Sequence, residues 1–340
     1  MDYKAVVVGC GGRASAHIEA YQYIPEAQVV ACCAPSSRRR DPLGARFGLR
    51  TYADAAEMIR REKPDIVHLV TWPDTRVALM TLVSEMGVPL CTVEKPIATG
   101  VADWRKLEQL ERESATKFAV CHQFRWQPDL MRCQQAMESL GAARVVHLSA
   151  GMDISGQGTH TLNYGRSLIG DPLVTRVFGT ASGWDADDPG HPAPAATVAQ
   201  LEFDSGCRGF WTSGIVSPRC GDSGTTWQHV RVAAYAERGR VTYEEFGRWE
   251  IIAPDLEERG TFGSMDGWMR NNLQAQAFFH QAMFRWIEDG TPPGTNLQAS
   301  LHEWAVVLAL YQSALERRPI EMAGFNPPED LVDQLRRTLG

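Results

Sequence analysis

The sequence predicts an α/β domain followed by an α+β domain with a large, open, mainly antiparallel sheet. Strand-like and helix-like segments alternate from Lys4 to Cys121, and a glycine-rich turn separates the first strand from the first helix. After Arg125, longer strand-like segments follow one another with short turns. Alternation is typical of βαβ units in a parallel sheet covered on both faces, whereas consecutive strands indicate an antiparallel sheet. We therefore expect domains over residues 1–123 and 124–340.

The first domain contains five strand-like runs separated by helical patterns. The strands are expected at Lys4–Val8, Gln28–Cys33, Asp65–Thr71, Pro89–Val93 and Lys117–Cys121. The helices are expected at Arg13–Tyr23, Pro42–Phe47, Tyr52–Glu62, Thr75–Met86 and Val101–Ser114. Gly87 follows the fourth helix, at the position where a left-handed residue commonly ends a helix.

The second domain starts with a helix and continues mostly as strands. The helix is expected at Pro128–Leu140, and the strands at Ala143–Ala150, Thr197–Phe203, Gly209–Ile215, Gln228–Ala236, Gly239–Glu245 and Arg248–Ala253. Two long amphipathic helices then follow at Asn271–Asp289 and Gln298–Arg317. We expect a hairpin turn with Gly239 at positive φ, and an exposed loop over Ser182–Ala196, which is rich in Pro, Gly, Asp and Ala.

Composition narrows the class of protein. Of the 340 residues, 44% are apolar and 22% are charged, as in soluble globular proteins. A net charge of −7 argues against broad binding to nucleic acid or anionic membranes. Neither a secretory signal nor a long apolar span is evident, so a cytoplasmic location is expected. The eight cysteines contain no C-x-x-C pair, and we expect reduced, buried thiols.

The turn after the first strand fits the dinucleotide-binding pattern G-x-G-x-x-G/A. Gly9 would make the tight turn, Gly11 would admit the pyrophosphate, and Ala14 would let helix and strand pack closely. Gly12 and Arg13 complete the turn. Because the helix N-terminus offers free N–H groups to phosphates, this pattern in this context predicts a Rossmann dinucleotide-binding domain.

The end of the second strand indicates which dinucleotide is preferred. NAD-binding versions place Asp or Glu about 20 residues past the turn, but here the strand ends in Cys32-Cys33-Ala34. Ser36, Ser37 and Arg38 come next, and hydroxyl and guanidinium groups suit a 2′-phosphate. The sequence therefore favours NADP, with NAD as second choice; the alternative is a solvated basic loop without a role.

The chain resembles the Gfo/Idh/MocA oxidoreductase family. The resemblance depends on Glu94-Lys95-Pro96 at the end of the fourth strand together with the glycine turn. Ala16-His17, Pro64–Val67, His122–Pro128 and the two C-terminal helices agree with it. The family pairs a Rossmann domain with an α+β domain whose open sheet faces the nicotinamide, and most members oxidise or reduce sugars, cyclitols and related polyols.

The resemblance implies that Lys95 is catalytic and that Pro96 follows a cis peptide. Lys95 lies at the carboxyl end of a parallel strand, where open α/β sheets bind ligands, and an ammonium there can hold the reacting oxygen and assist proton transfer. The further residues expected to contact the cofactor are Thr71, Trp72, Glu94, Lys95, Pro96, Gln123, Arg125 and Trp126. Trp72 and Trp126 could also pack on the substrate.

A second family motif, D-x-x-x-H, aligns with residues 156–160. His160 matches the histidine, which can exchange a proton near neutral pH, but Gly156 stands where the family has aspartate. Asp153 could reach the site from a neighbouring loop. If Thr159–Leu168 is helical, Asn163 and Tyr164 share the face of His160 and are expected to bind substrate, with ordinary packing as the alternative. His17 and His68 are expected to be structural.

No histidine or carboxylate spacing predicts a metal site, and no G-x-S-x-G elbow supports a serine hydrolase. The leading hypothesis is hydride transfer between nicotinamide and a sugar-like alcohol or ketone, with Lys95 and His160 handling the proton. One alternative is a redox-neutral elimination or glycoside cleavage, and another is a non-catalytic, dinucleotide-responsive regulator. The family's open sheet also implies a homodimer or homotetramer.

Overall fold

The computed structural model describes residues 3–185, 192–220 and 224–340 and divides the chain into two compact units. The first unit contains Met1–Ala98, Arg105–Trp126 and Arg270–Ser300. The second contains Thr99–Trp104, Gln127–Met269 and Leu301–Gly340. Residues 270–300, which the sequence analysis assigns to the second domain, thus group with the first strands.

Most α-helices described by the structure match predicted ones, but α2 and α8 begin five and six residues earlier than expected and α10 was not predicted. In chain order they are α1 Gly12–Glu19, α2 Ser37–Phe47, α3 Ala55–Glu62, α4 Arg76–Glu85, α5 Val101–Glu113, α6 Pro128–Ser139, α7 Thr159–Leu168, α8 Met265–Asp289, α9 Leu297–Glu316 and α10 Leu331–Leu339. A 3₁₀ turn over Ala20–Tyr23 extends α1. Gly87 after α4 has φ 66°, which confirms the left-handed residue predicted there.

The first unit contains a six-stranded parallel sheet. Its strands are β1 Tyr3–Val8, β2 Ala27–Cys33, β3 Arg50–Tyr52, β4 Ile66–Leu69, β5 Leu90–Val93 and β6 Lys117–Val120. They lie in the order β3-β2-β1-β4-β5-β6, so the direction of winding reverses between β1 and β4, where doubly wound sheets bind their ligands. The Rossmann prediction is confirmed, although the short edge strand β3 was not predicted.

Part of α8 completes the core of this unit. Tyr3 of β1 stacks on Phe284 with ring centroids 4.3 Å apart, and Phe279 and Met283 belong to the same buried cluster. The loop after α8 is joined to the sheet by a hydrogen bond from the backbone N–H of Val120 to the carbonyl of Thr295 (2.8 Å). Helix α8 is therefore part of the same hydrophobic core as the first strand.

The second unit contains a nine-stranded mixed sheet. Its strands are β7 Ala143–Ala150, β8 Val174–Asp185, β9 Ala193–Phe203, β10 Arg208–Gly214, β11 Val230–Ala236, β12 Gly239–Glu244, β13 Arg248–Ala253, β14 Leu256–Thr261 and β15 Ile320–Glu321. They lie in the order β14-β13-β12-β11-β7-β10-β9-β8-β15. Only β7 and β10 pair in parallel among these strands, which confirms the mainly antiparallel sheet.

Two predictions about this unit are wrong. The exposed loop predicted over Ser182–Ala196 is strand at both ends, because β8 continues to Asp185 and β9 starts at Ala193; residues 186–191 lie outside the described part. Gly239 does not have positive φ. A Cβ there would lie 2.3 Å from the carbonyl oxygen of Ile252, so this position needs glycine because strand β13 passes too close for a side chain.

Helix α7 packs against the sheet through a glycine. A Cβ on Gly165 would lie 2.1 Å from a methyl group of Leu148 on β7, so any side chain there would force Leu148 to move. All eight cysteines are free and buried, as expected. Among the described residues, no helix combines the length and apolar character needed to cross a membrane.

Candidate functional site

The glycine turn between β1 and α1 leaves room for a ligand. Gly9 has φ 101°, and a Cβ there would lie 2.1 Å from the carbonyl oxygen of Val70. In contrast, a Cβ on Gly11 or Gly12 would meet no atom within 4 Å. Packing of this unit therefore explains Gly9 but not Gly11 or Gly12, whose open surroundings at a helix N-terminus suit a pyrophosphate.

Arg13 connects the turn to the strand that carries the lysine motif. Its Nε donates to Oε1 of Glu94 (3.3 Å) and its Nη2 donates to Oε1 of Gln276 (3.1 Å). The same oxygen of Glu94 accepts a 2.9 Å bond from Nε2 of His17. Burial alone would raise the pKa of Glu94, but the charge of Arg13 and the bond from His17 lower it well below its usual range. Glu94 is thus an ionised carboxylate held from two sides.

Lys95 follows Glu94 and is half-buried. The Lys95–Pro96 peptide bond is cis, as the family resemblance implies. Pro96, Ile97 and Ala98 are buried, and the backbone N–H of Glu94 donates to the carbonyl of Leu69 (3.1 Å). The backbone on both sides of Lys95 is therefore held by packing and hydrogen bonding.

Sequence reasoning missed Arg76, the first residue of α4. Only 1% of this residue is exposed, and burial lowers its pKa to about 10. Its Nη2 donates to the carbonyl of Thr71 (3.1 Å), whereas Nε and Nη1 have no hydrogen-bond partner in the described residues. The sequence did contain a signal for Arg76, because it is a lone arginine in a largely apolar helical segment.

The residues predicted to select the cofactor lie at the start of α2. Ser36, Ser37 and Arg38 are exposed, and Ser36 makes no capping hydrogen bond with its side chain. Arg40 instead turns back and donates from Nη1 to the carbonyl of Ala34 (3.2 Å). Two hydroxyls, a guanidinium and a helix N-terminus therefore border solvent at the carboxyl end of β2.

The other predicted cofactor contacts also belong to the first unit. Trp72 is 59% exposed after β4, and the hydroxyl of Thr71 accepts a bond from Thr75 (2.9 Å). Gln123 is buried, whereas Arg125 and Trp126 are half-buried, and Trp126 packs on Phe279. Their roles toward a cofactor stay predictions.

His160 is the second residue of α7, which confirms the predicted helix. His160 is 4% exposed and stacks on Tyr164 with ring centroids 5.7 Å apart. Asn163 is fully buried, and its amide donates to Oε1 of Glu303 (2.8 Å). Asn163 therefore already has a structural partner, and substrate contact by Asn163 or Tyr164 stays a prediction.

An ion pair with Glu303 anchors the far end of α7. Nη1 of Arg166 donates to Oε1 of Glu303 (2.6 Å), and both side chains are at most 3% exposed. Nε of Arg166 donates to the carbonyl of Pro172 (3.0 Å). Burial raises the pKa of Glu303 even though the charge of Arg166 acts to lower it. This pair fixes the helix that carries His160.

Asp153 lies directly beside Gly156. Its Oδ1 accepts the backbone N–H of Gly156 (2.7 Å), and Oδ2 would lie 2.8 Å from a Cβ added to Gly156. The carboxylate of Asp153 thus occupies the space into which a side chain at position 156 would extend. Asp153 is 7% exposed.

Two family models match successive parts of the chain. Residues 3–122 match the oxidoreductase family, NAD-binding Rossmann fold, and residues 144–322 match the oxidoreductase family, C-terminal alpha/beta domain. The chain is 28% identical to the D-apiose dehydrogenase of Paraburkholderia graminis over 346 aligned residues, covering 94% of this chain and 90% of that enzyme.

Two solved structures share the fold. The first is an oxidoreductase from Agrobacterium radiobacter in complex with NAD+, L-tartaric acid and magnesium; it is 20% identical with a TM-score of 0.80, over 95% of this chain and 99% of that one. The second is the WlbA dehydrogenase from Bordetella pertussis in complex with NADH and UDP-GlcNAcA; it is 18% identical with a TM-score of 0.72, over 95% and 99%. Since the two family matches together span most of the sequence, the chain belongs to the Gfo/Idh/MocA family of NAD-binding oxidoreductases.

Proposed function

We propose that this protein is an NADP-preferring dehydrogenase or reductase of a sugar, cyclitol or sugar derivative. The main support for the proposal is the position of Lys95. This residue follows the end of parallel strand β5, where the hydrogen bonds of Arg13 and His17 to Glu94 fix the preceding side chain. The relatives' names, D-apiose dehydrogenase and a dehydrogenase bound to UDP-GlcNAcA, support the substrate class. Hydride moves between the nicotinamide and a carbinol carbon, while Lys95 and His160 handle the proton of its oxygen.

The experiment is a substrate screen with Lys95→Ala beside Lys106→Ala, an exposed lysine of α5. The panel contains D-apiose, other aldoses, inositols and nucleotide sugars, and NAD(P)H absorbance is followed. We expect Lys95→Ala to lose at least about a hundredfold in kcat, as general acid–base catalysts contribute, while still binding cofactor. Full activity of Lys95→Ala contradicts the proposed role. Substrate breakdown without net change in NAD(P)H supports the redox-neutral alternative.

The proposed NADP preference depends on the exposed hydroxyls and guanidinium at the start of α2. A 2′-phosphate would accept hydrogen bonds from Ser36, Ser37 and Arg38, and bonds to charged groups contribute about 1.5–3 kcal/mol. Arg38→Ala should therefore weaken NADP+ binding about tenfold or more and leave NAD+ binding unchanged. Arg46→Ala is the matched control. Arg46 lies in the last turn of α2, away from the start of the helix, and pairs with Glu19 of α1. Tighter binding of NAD+ than NADP+ by the wild type contradicts the preference.

We further propose that Asp153 supplies the carboxylate that the family places at position 156. Its Oδ2 already lies where a residue-156 side chain would extend. Gly156→Asp alone should be inactive, because its Cβ would approach Oδ2 of Asp153 to 2.8 Å. The exchange variant Asp153→Gly/Gly156→Asp should recover much of the activity lost in Asp153→Gly. If the exchange variant folds but recovers no activity, the proposed role of Asp153 is wrong.

The oligomer predicted from the family would use the open face of the second sheet. Phe178, Val198 and Phe210 lie on this face of β8, β9 and β10 and are 40–45% exposed. Apolar patches on neighbouring strands favour association. Phe210→Glu should lower the molecular mass measured by light scattering, whereas Met131→Glu on α6 should not. A monomeric wild type contradicts this proposal.

A further inference from the structure

Three histidines from distant parts of the sequence meet in the interior of the first unit. His17 belongs to α1, His68 to β4 and His280 to α8, and none is more than 1% exposed. One ring nitrogen from each lies within 4.8 Å of the other two. The rings of His68 and His280 have centroids 4.2 Å apart, and His17 lies 5.3–5.4 Å from both.

A neighbouring polar group holds one nitrogen of each imidazole. Nε2 of His17 bonds to Glu94 (2.9 Å) and Nδ1 of His68 to the hydroxyl of Thr92 (2.6 Å). The amide nitrogen of Gln276 donates to Nε2 of His280 (3.2 Å), so in this arrangement the ring proton of His280 is on Nδ1. Metal-binding histidines typically have such a partner on the nitrogen that does not bind the metal, because the bond fixes ring orientation and tautomer.

The opposite nitrogens of two of these rings are unsatisfied. Nδ1 of His17 and Nδ1 of His280 are buried and have no hydrogen-bond partner in the described part of the chain. Leaving a buried polar atom without a partner costs about 1–3 kcal/mol, so these two atoms need an explanation. The remaining nitrogen, Nε2 of His68, contacts the hydroxyl of Tyr21 (2.7 Å).

We propose that His17, His68 and His280 form a binding site for a zinc-class divalent transition metal, with the phenolic oxygen of Tyr21 as fourth ligand. Three nitrogens that all lie within 4.8 Å of one another place a central ion at most about 2.8 Å from each, so each ring would move by less than about 1 Å to reach a bond of about 2.1 Å. Imidazole nitrogens suit Zn²⁺, Cu²⁺ and Ni²⁺ rather than Mg²⁺ or Ca²⁺.

Binding would rearrange two contacts. At Nε2 of His68 the ion would replace the Tyr21 hydroxyl proton, which is released to the buffer, and the phenolate oxygen would move away from Nε2 to make room for the ion. At Nδ1 of His280 the ion places the ring proton on Nε2, so the amide of Gln276 turns over to accept it and loses its bond to Arg13. Glu94, which is hydrogen-bonded to His17, supplies negative charge next to the site. The metal would join α1, β4 and α8, which are far apart in the sequence. It would also fix the ring of His17, which bonds to the carboxylate of Glu94, the residue before Lys95.

The test measures metal in the full-length protein. Protein grown with added zinc is dialysed into metal-free buffer, and zinc per chain is measured by mass spectrometry for wild type, His280→Leu and His147→Leu. We expect about one zinc per chain in the wild type and in the control His147→Leu, which changes a β7 histidine of the second unit, and loss in His280→Leu. Equal zinc content in wild type and in folded His280→Leu overturns the site.

Two measurements on the wild type do not depend on any variant folding. Replacement of zinc by Co²⁺ should give the intense visible bands of four-coordinate cobalt, and a weak six-coordinate spectrum overturns the proposal. Anomalous diffraction at the zinc edge should show a peak between the three rings. An ordered water at that position, bridging His17 and His280, also overturns it.

Discussion

Removal of Arg166 should destabilise the second unit strongly and in a pH-dependent way. Arg166→Met takes the positive charge from Glu303, which is 1% exposed and shares its Oε1 with Asn163. Breaking a buried pair by removing one partner costs about 3–5 kcal/mol, because the other charge stays buried. For a unit of this size, such a loss lowers Tm by about 6–20 °C.

The sign of the pH dependence follows from the pKa of Glu303, which burial raises and which loss of Arg166 raises further. A carboxyl whose pKa is higher in the folded state stabilises the fold below its unfolded pKa of about 4.3 and loses that contribution as pH rises. The deficit of Arg166→Met relative to wild type should therefore be small near pH 4.5 and large near pH 8. Scanning calorimetry over this range measures it.

Two variants complete this experiment. Arg166→Met/Glu303→Gln should recover stability near pH 8 and lose the pH slope, because no charge remains buried. Arg176→Met removes an exposed arginine that pairs with Glu321, and should cost less than about 1 kcal/mol. A pH-independent deficit in Arg166→Met, or one no larger than in Arg176→Met, would refute the reasoning.

Two further predictions concern the glycine turn and a second buried acid. Gly9→Ala should lower Tm, because both the φ of 101° and the carbonyl of Val70 oppose a Cβ. Gly11→Ala should keep the wild-type Tm and lose cofactor affinity in calorimetric titration. Equal effects of the two variants on Tm would contradict this. Glu245 is 2% exposed, neither of its carboxyl oxygens has a partner in the described residues, and burial raises its pKa well above the usual value. Wild type should therefore lose stability as pH rises from about 4.3, and Glu245→Gln should lose less because the contribution of Glu245 is gone. Parallel Tm–pH curves would exclude this.

Features set by short stretches of sequence were predictable. The glycine turn, the strand that ends at Glu94-Lys95-Pro96 and helix α7 all depend on residues adjacent in the chain. The edge strands β3 and β14 were missed because exposed, charged segments such as Leu256–Thr261 show no hydrophobic alternation. The reason for Gly239 was missed because the atom that excludes a side chain belongs to Ile252 on another strand.

The candidate site was predictable only in part, for the same reason. Arg13 was assigned to the phosphate turn, but its bond to Gln276 spans 263 residues of sequence. The three-histidine cluster has no local spacing, since its members come from three separate elements. Asp153 could be singled out only because Gly156 departs from the family, and its distance from Gly156 required coordinates.

The grouping of residues 270–300 with the first strands has a consequence for biosynthesis. During translation the ribosome releases β1 to β6 long before Phe279, Met283 and Phe284, which complete their hydrophobic core. The nascent Rossmann half must therefore wait with an uncovered apolar face until most of the second unit has been made. Such long-range contacts slow folding, and a fragment ending at residue 123 should aggregate or require a chaperone rather than fold alone.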